Sequence, residues 1–369
     1  MLKRDNPLIT ARGLAAGTVN CTSPIIAADN AGAIASIVAV GGNLPPNPPF
    51  EIHPYLNTFT LEQYKKYIIG TFPPISYLVD HPLISVAGIT HLVNLGPQAG
   101  NISQPAIPFF HGNAGDMWAY LLTPPELTAL NFTVGRNTKK TYLINFLREH
   151  KINYSDIIKT TQRCLNNDGN YDFTDTCLKN ICINKELIYH ILLNNNSEHL
   201  LFNTGSPFSA EGLTIHANLN AGNPAGRVNV NSNTASFDLF VRGCQDLGLK
   251  IELRIQQGPT PFFPWTEINT VNRLFLQANM HNKVAFEMRI SITDKVVDDN
   301  LKEFGGERTY TVVTGPSPSR AALRGLTRNR NYINWMMLNP PPNNPGTFVQ
   351  YIYQTFRFGP IANLYALNS

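Results

Sequence analysis

Three segments of the chain share a short apolar run that ends directly in glycine, asparagine or threonine. They are 66–74, 199–206 and 309–319. Short apolar runs bounded by turn residues are typical of strands that are buried on both faces. Each segment therefore predicts a buried strand that feeds a loop, and the first of these strands is expected over 66–70. Because the segments lie far apart in sequence, their loops can frame one cleft.

Segments with apolar residues at helical spacing alternate with these strands. We predict helices over 116–121, 139–149 with Thr138 as N-cap, 185–193, 235–247, 266–280 and from Ser319, and strands over 249–255 and 284–292. This alternation predicts an α/β fold in which helices sandwich a largely parallel sheet. Ligands of such sheets bind outside the carboxyl ends of the strands, so Gly70-Thr71, Asn203 and Thr314-Gly315 are expected to converge there.

The 369 residues show neither an internal repeat nor a clear division into two domains. We expect an N-terminal extension over 1–50, one α/β domain with loop insertions over 51–340, and a C-terminal extension over 341–369. The Asn- and Asp-rich segment 164–184 is expected to lie at the surface. A hydrophobic content of 43% permits a sizeable core.

Charge is sparse in this chain but unevenly placed. Only 15% of the residues are charged, and the formal net charge is +4. From position 311 to the end the chain has five arginines and no Asp, Glu or Lys. These arginines are Arg320, Arg324, Arg328, Arg330 and Arg357. A cationic region on a nearly balanced body favours an anionic partner such as nucleic acid, although a solvated basic face has the same pattern.

The cysteine and histidine patterns support neither a metal site nor a disulfide framework. The five cysteines are scattered and include no CxxC pair, and the histidines lack metal-ligand spacing. We therefore expect no metal and no cofactor, and a reducing cytoplasm is the simplest compartment. No segment reaches the roughly 18 apolar residues of a membrane span, and no signal peptide is recognisable, so no membrane partner is expected.

The loop after the last predicted strand is suited to bind phosphate. Ser317 is placed to cap the following helix, which has a proline at its first position. Free backbone N–H groups there, together with Ser319 and Arg320, can hold a phosphate. Arg324 and Arg328 extend the positive surface. A plain helix cap is the alternative interpretation.

Aromatic and polar residues meet in the Gly-rich segment before the first predicted helix. Phe110 offers a ring on which an extruded base can stack, and His111 and Asn113 add polar groups beside it. A carboxylate such as Asp116 can orient a water molecule. A core phenylalanine followed by a helix-starting aspartate explains the same residues. The loop at 70–74 lacks the spacing of a phosphate-binding or dinucleotide-binding motif. Gly70 permits close backbone approach, but an ordinary strand-ending turn is the favoured interpretation from the residues alone.

Taken together, these segments resemble the uracil-DNA glycosylase superfamily, in its hypoxanthine-DNA-glycosylase-like branch. Residues 67–74 resemble the first motif in its Gly-Thr-x-Pro form, and 315–319 resemble the second motif. The aromatic segment 109–113 leads to Trp118, as in that branch, and 202–206 stand where the base-reading strand ends. The resemblance spans about residues 50–340, and the order and spacing of the motifs carry it.

The resemblance implies a three-layer α/β/α sandwich and a DNA glycosylase that works without a cofactor. Such an enzyme flips a nucleotide into a pocket, stacks its base on an aromatic ring and hydrolyses the N-glycosidic bond. The residues that match base-binding positions are Gly70, Thr71, Phe72, Phe110, His111 and Asn203. The residues that match the phosphate-gripping loop and its basic surroundings are Ser317, Ser319, Arg320, Arg324 and Arg328.

Two departures from the family pattern change the expected chemistry. Phe72 stands where other branches have a water-activating Asp or Asn, and Gly315 replaces a cationic histidine. We therefore expect Asp116, and after it Asn113, to activate the water. The long insertions after the first two strands favour a bulky or modified base over uracil. Glucosylated hydroxymethylcytosine in phage DNA, on which antiphage proteins of this superfamily act, is one such base.

Two other functions stay open at this point. A catalytically inactive protein that retains the glycosylase fold and binds DNA explains the missing carboxylate and histidine. That protein would bind DNA with strong salt dependence and release no base. A hydrolase that acts on a small sugar or nucleotide leaves the arginines unexplained.

Overall fold

The structure is a computed structural model that describes most of the α/β domain. The described residues are 50–53, 55–71, 107–110, 115–163, 178–203, 235–256, 260–269, 283–292, 299–301, 306–315, 329–339 and 344–368, with 272, 276, 280, 303, 304, 326 and 327. Most of the predicted N-terminal extension lies outside this set, as do the predicted helix start at Ser319 and most of the loop that precedes position 235.

In the described part of the chain, ten strands form two sheets. In chain order they are β1 (Phe50–Ile52), β2 (Lys66–Gly70), β3 (Ile152–Asp156), β4 (Ile158–Arg163), β5 (Leu178–Ile183), β6 (His199–Phe202), β7 (Leu249–Arg254), β8 (Thr266–Glu267), β9 (Ala285–Ile292) and β10 (Glu307–Thr314). The larger sheet has the order β3-β2-β6-β10-β9-β7-β8 and the smaller one β1-β4-β5.

The larger sheet is parallel on one side and antiparallel on the other. β3, β2, β6 and β10 pair in parallel, whereas each pairing from β10 through β9 and β7 to β8 is antiparallel. Five of the seven strands therefore point in one direction. This arrangement confirms the predicted α/β class with a mainly parallel central sheet.

Helices cover both faces of this sheet. In chain order the described α-helices are α1 (Gly115–Leu121), α2 (Pro124–Phe132), α3 (Arg136–Glu149), α4 (Lys185–Leu193), α5 (Ala235–Asp246), α6 (Arg330–Leu338) and α7 (Pro345–Phe358). Short 3₁₀ helices are Leu56–Thr58, Asp299–Leu301 and Ile361–Leu367. Buried side chains of α4 and α5 pack on one face, and those of α1, α3, α6 and α7 pack on the other. The three layers α/β/α follow from these two cores.

The apolar runs of the sequence explain why the central strands are buried on both sides. In β2, Tyr67 and Ile69 join one core, while Ile68 joins the other. Successive side chains of a strand point to opposite faces, so a continuous apolar run fits a strand with helices above and below it.

Capping residues fix several helix boundaries. Asn184 accepts a hydrogen bond from the Leu187 backbone N–H, and α4 has the predicted bounds 185–193. Thr123 and Glu126 form a capping box at the start of α2, and Asn344 and Thr347 form one at the start of α7.

Three local predictions are wrong: one helix boundary, one surface segment and one element type. The helix expected from residue 139 begins at Arg136, because Gly135, with a φ of 92°, is its N-cap in place of Thr138. β5 occupies the end of segment 164–184, where Cys182 and Ile183 are buried rather than at the surface. β8 occupies the start of the predicted helix 266–280, because pairing with β7 overrides the local helical pattern.

Cys182 is disulfide-bonded, and its partner lies outside the described residues. The odd number and the scattered spacing of the cysteines had predicted no disulfide framework. Disulfide formation depends on which Cα atoms the fold brings within about 4.4–6.8 Å, and spacing along the chain does not report that distance.

The segment after residue 340 packs onto the sandwich. The side chain of Arg357 on α7 is 1% exposed and forms a bidentate ion pair with Glu126 of α2. Its guanidinium also lies over the rings of Phe146 and Phe358, 4.6 and 4.3 Å from their centroids. Arg357 therefore does not belong to a cationic surface, as its place in the arginine-rich region had suggested.

Among the described helices, none combines the length and the apolar character that crossing a membrane requires.

Candidate functional site

The carboxyl ends of the parallel strands lie side by side at one edge of the sheet. Gly70 pairs in register with Asp156. The backbone N–H of Asn203 donates to Ile69 O at 3.2 Å, and that of Gly315 donates to Phe202 O at 3.0 Å. Four strand ends are therefore adjacent where sheets of this class bind ligands.

A buried histidine and a buried aspartate meet at this edge. His53 Nε2 lies 2.7 Å from Asp156 Oδ2, and the side chains are 0% and 5% exposed. His53 follows β1, and its backbone N–H donates to Lys159 O at 2.9 Å. His53 Nδ1 accepts a hydrogen bond from the Tyr55 backbone N–H at 3.0 Å, so the ring proton that faces Asp156 is on Nε2.

The second oxygen of the Asp156 carboxylate explains the glycine at position 70. Asp156 Oδ1 is buried and has no hydrogen-bond partner in the described part of the chain. A Cβ atom added to Gly70 would overlap this carboxylate and would lie 3.1 Å from the Tyr154 hydroxyl oxygen. Only glycine lets the end of β2 approach the carboxylate this closely. This agrees with the expectation that Gly70 permits close approach.

Aromatic rings form one wall of the same region. The ring of Phe110 lies 4.6 Å from that of Tyr154 and 5.5 Å from that of His53, measured between centroids. Trp118 stacks on Phe109 at 6.0 Å, and its Nε1 donates to Phe110 O at 3.2 Å. Asn203 Nδ2 donates to the Tyr154 hydroxyl at 3.1 Å.

These contacts join five side chains into one group, which we call the strand-end cluster. Its members are His53, Phe110, Tyr154, Asp156 and Asn203. All five are buried. The cluster combines ring faces, an amide, a hydroxyl and a carboxylate, which are the groups that bind a heterocyclic base and orient a water molecule.

The structure brings together some of the residues that the sequence predicted. Gly70, Thr71, Phe110 and Asn203 all lie at this edge, and Thr71 O accepts a hydrogen bond from the Ile158 backbone N–H at 3.2 Å.

Other predicted site residues lie outside the described residues. They are Phe72, His111, Asn113, Ser317, Ser319, Arg320, Arg324 and Arg328. The backbone of Asp116 forms the second residue of α1, but its side chain belongs to the part that is not described.

Sequence reasoning missed three members of the cluster. Asp156 ends a strand, as Asn203 follows one, so the rule that located Asn203 also applies to it. The polar pair Ser155-Asp156 equally fits the start of a new element, so the sequence alone does not mark it as a strand end. His53 and Tyr154 carry no comparable signal. His53 meets Asp156 across 103 positions only because β1 pairs with β4.

Among the described residues, no group of three or more His, Cys, Asp or Glu side chains is arranged to hold a metal ion. No protein-family model, no curated protein and no solved structure matches this chain.

Proposed function

We propose that this protein is a DNA glycosylase that flips a nucleotide into the strand-end cluster and hydrolyses its N-glycosidic bond. The observation that carries the proposal is the meeting of packed aromatic rings, an amide and a carboxylate at the carboxyl ends of the parallel strands. The sequence motifs that resemble the uracil-DNA glycosylase superfamily contribute Gly70, Phe110 and Asn203 to the same edge.

Recognition of the base is assigned to the aromatic wall and the amide. The ring of Phe110, supported by Tyr154, supplies a stacking face for the flipped base. The Asn203 carboxamide has both a donor and an acceptor, which match the edge of a base. Because Asn203 Nδ2 is directed at the Tyr154 hydroxyl, the orientation of the amide is fixed before a base arrives.

Activation of water is assigned to the Asp156 carboxylate. In the proposed reaction, water attacks C1′, the bond from C1′ to the base nitrogen breaks, and the base leaves with the bonding electron pair. Asp156 Oδ1 accepts the proton of the water, while the His53 Nε2–H donates to the other carboxylate oxygen and holds the group in place. The departing base takes a proton from solvent, and an abasic sugar remains.

The DNA backbone and the kind of base are inferred from sequence. Ser317, Ser319 and Arg320 are proposed to grip a phosphate, with further arginines around them. The long insertions after β2 and β6 favour a bulky modified base, such as glucosylated hydroxymethylcytosine in phage DNA. Asp116 and Asn113 are the alternative water activators.

A second candidate function is a catalytically inactive protein that binds DNA with the same fold. The burial of the strand-end cluster favours it, because Tyr154 and Asn203 are 0% exposed and Phe110 is 1% exposed. A base can stack there only if these side chains become accessible. The inactive protein would use His53 and Asp156 only to join the two sheets.

The test is to incubate the full chain with DNAs that include natural phage genomes with modified bases. Released bases are identified by mass spectrometry, and abasic sites by cleavage in alkali. We expect one class of modified base to be released, and Asp156→Asn to slow release by about 10²- to 10⁴-fold. Glu186→Gln, an exposed carboxylate, is the matched control.

Each other outcome selects a different conclusion. If no DNA yields a free base but binding weakens steeply with salt, the inactive protein is correct. If Asp156→Asn releases base at the normal rate and Asp116→Ala does not, then His53 and Asp156 are structural. Thermal unfolding of every variant separates loss of catalysis from loss of fold.

A further inference from the structure

A cavity lies on the sheet, away from the strand-end cluster. It has a volume of about 760 Å³ and lies between the sheet and the C-terminal 3₁₀ helix, Ile361–Leu367. The lining residues that carry its chemistry are His199, Gln256, Phe262, Glu287, Thr311 and Tyr365. Pockets for small molecules commonly enclose about 300–1,000 Å³, so this cavity has the size of a ligand site. We call it the sheet-face cleft.

The sheet-face cleft is separate from the proposed catalytic edge. His199 is the first residue of β6, whereas Asn203 follows its last residue. At about 3.3 Å per strand residue, these two positions are about 13 Å apart. Between them, Leu201 of β6 and Val313 of β10 belong to the buried core on this face.

The strand register places polar side chains next to one another in a row across this face of the sheet. His199 pairs with Thr311, and Thr311 pairs with Glu287 on β9. Lys66 pairs with His199 at one end of the row, and Arg254 pairs with Glu287 at the other. A polar row beneath a covering helix costs folding free energy unless its groups find hydrogen-bond partners. In this row, His199 Nδ1 is buried and has no partner among the described residues, and this acceptor points to a polar ligand.

Among the residues that line the cleft, Glu287 is the one with an ionised side chain, and its Oε2 accepts a hydrogen bond from Arg254 Nε. Lys66, at the end of the row, does not line the cleft, and its Nζ donates to the Arg357 backbone O at 2.6 Å. Burial lowers the pKa of His199 despite the nearby Glu198, so its imidazole is neutral at neutral pH. A lining without an unpaired charge favours an uncharged ligand.

The remaining groups specify the shape and polarity of that ligand. His199 Nδ1 is buried and has no hydrogen-bond partner among the described residues, whereas Nε2 faces Glu198 at 3.7 Å. With the ring proton on Nε2, Nδ1 is a hydrogen-bond acceptor, and the Glu287 carboxylate is a second acceptor. The rings of Phe262 and Tyr365, 5.3 Å apart at 82°, add aromatic surface. A ligand with N–H donors and a flat aromatic surface complements these groups.

The roof of the cleft is fixed to the sheet. Asn368 Nδ2 donates to Gln256 O at 2.9 Å, and Asn368 Oδ1 accepts from the Val284 backbone N–H at 2.9 Å. Burial raises the pKa of Tyr365 to about 12, so its hydroxyl stays protonated and hydrogen-bonded to Thr311. A fixed roof gives a preformed site, and preformed sites lose little entropy on binding.

We propose that the sheet-face cleft binds an uncharged nucleobase or nucleoside, through acceptors on His199 and Glu287 and the aromatic surfaces of Phe262 and Tyr365. This proposal does not rest on the glycosylase function, because the site lies elsewhere and requires no DNA.

The test is calorimetric titration of the full chain, without DNA, with adenine, guanine, adenosine and cytidine, and with glucose as a nonplanar probe. We expect at least one base or nucleoside to bind with a Kd below about 1 mM, and glucose not to bind. Glu287→Gln and His199→Phe are each expected to weaken binding by about tenfold or more. Glu252→Gln is the matched control, since Glu252 also pairs with an arginine on a neighbouring strand but does not line the cleft.

Ala362→Phe provides a variant that does not disturb the sheet. Ala362 lines the cleft, and its side chain is exposed rather than packed in the core. A larger side chain there should fill the cleft and abolish binding. The proposal is overturned if no base or nucleoside binds, if glucose binds equally well, or if Ala362→Phe and His199→Phe bind like the wild type. Calorimetry detects these outcomes whether or not the protein excises bases.

Discussion

The parallel and antiparallel halves of the central sheet distribute their polar groups differently. In the parallel half, β3, β2, β6 and β10 have helices on both faces, and their polar groups concentrate at the strand ends. In the antiparallel half, β9 and β7 are apolar on one face only. The other face carries ion pairs between Glu252 and Arg289 and between Arg254 and Glu287, with Trp265 against both arginines.

This difference bears on where the proposed catalytic site lies. The ion pairs of the antiparallel half join residues that face each other across β7 and β9, and Glu287 among them also lines the sheet-face cleft. The parallel half instead buries a histidine, an aspartate and an asparagine at the strand ends. A concentration of such groups at the edge where sheets of this class bind ligands supports the proposed role of that edge.

The largest expected effect comes from the ion pair above the parallel half. Arg357→Met removes a guanidinium that is 1% exposed and leaves Glu126, 26% exposed, without its bidentate partner. We expect the free energy of unfolding to fall by about 3 kcal/mol. Urea denaturation measures this change. Arg148→Met, at an exposed arginine on α3, is the control and should change stability by less than about 0.5 kcal/mol. Equal losses in both variants would mean that Arg357 does not anchor α7.

The same ion pair predicts how stability depends on pH. Burial alone raises the pKa of Glu126, but hydrogen bonds from Arg357 and Thr123 outweigh it and lower the pKa to about 2 from an ordinary value of 4.5. This carboxylate therefore stabilises the fold fully above pH 4.5, and the contribution is lost as the pH falls toward 2. Denaturation midpoints between pH 5 and 2 should fall less steeply for Glu126→Gln. Identical slopes would contradict the assignment.

The smallest expected effect lies in the antiparallel half. Trp265→Ala removes two cation–π contacts, in which the Arg254 and Arg289 guanidinium carbons lie 4.5 and 4.6 Å from the ring centroid. We expect a loss of about 1 kcal/mol in the free energy of unfolding, because such contacts near solvent contribute about 0.5–1 kcal/mol each. Trp265→Phe should recover part of it. A loss as large as that of Arg357→Met would remove the distinction between the two halves.

Local sequence patterns were sufficient to predict the bounds of an element where residues within that element set them. The strand at 66–70 and the helix at 185–193 have the predicted bounds, since apolar spacing and the Asn184 cap act within a few residues. The local pattern predicted a helix where β8 forms, because pairing with β7 determines the conformation there. For the candidate site, the pattern identified Phe110 and Asn203 but not the carboxylate of Asp156.

The sequence by itself determined the α/β class and the identity of the groups that end its apolar strands. The tertiary structure alone decided which distant residues meet, namely His53 with Asp156, Glu126 with Arg357, and His199 with Glu287 across Thr311. The physical reason is that hydrophobic periodicity reports burial of each segment. Register and chain reversal set the contacts between segments, and no local pattern encodes them.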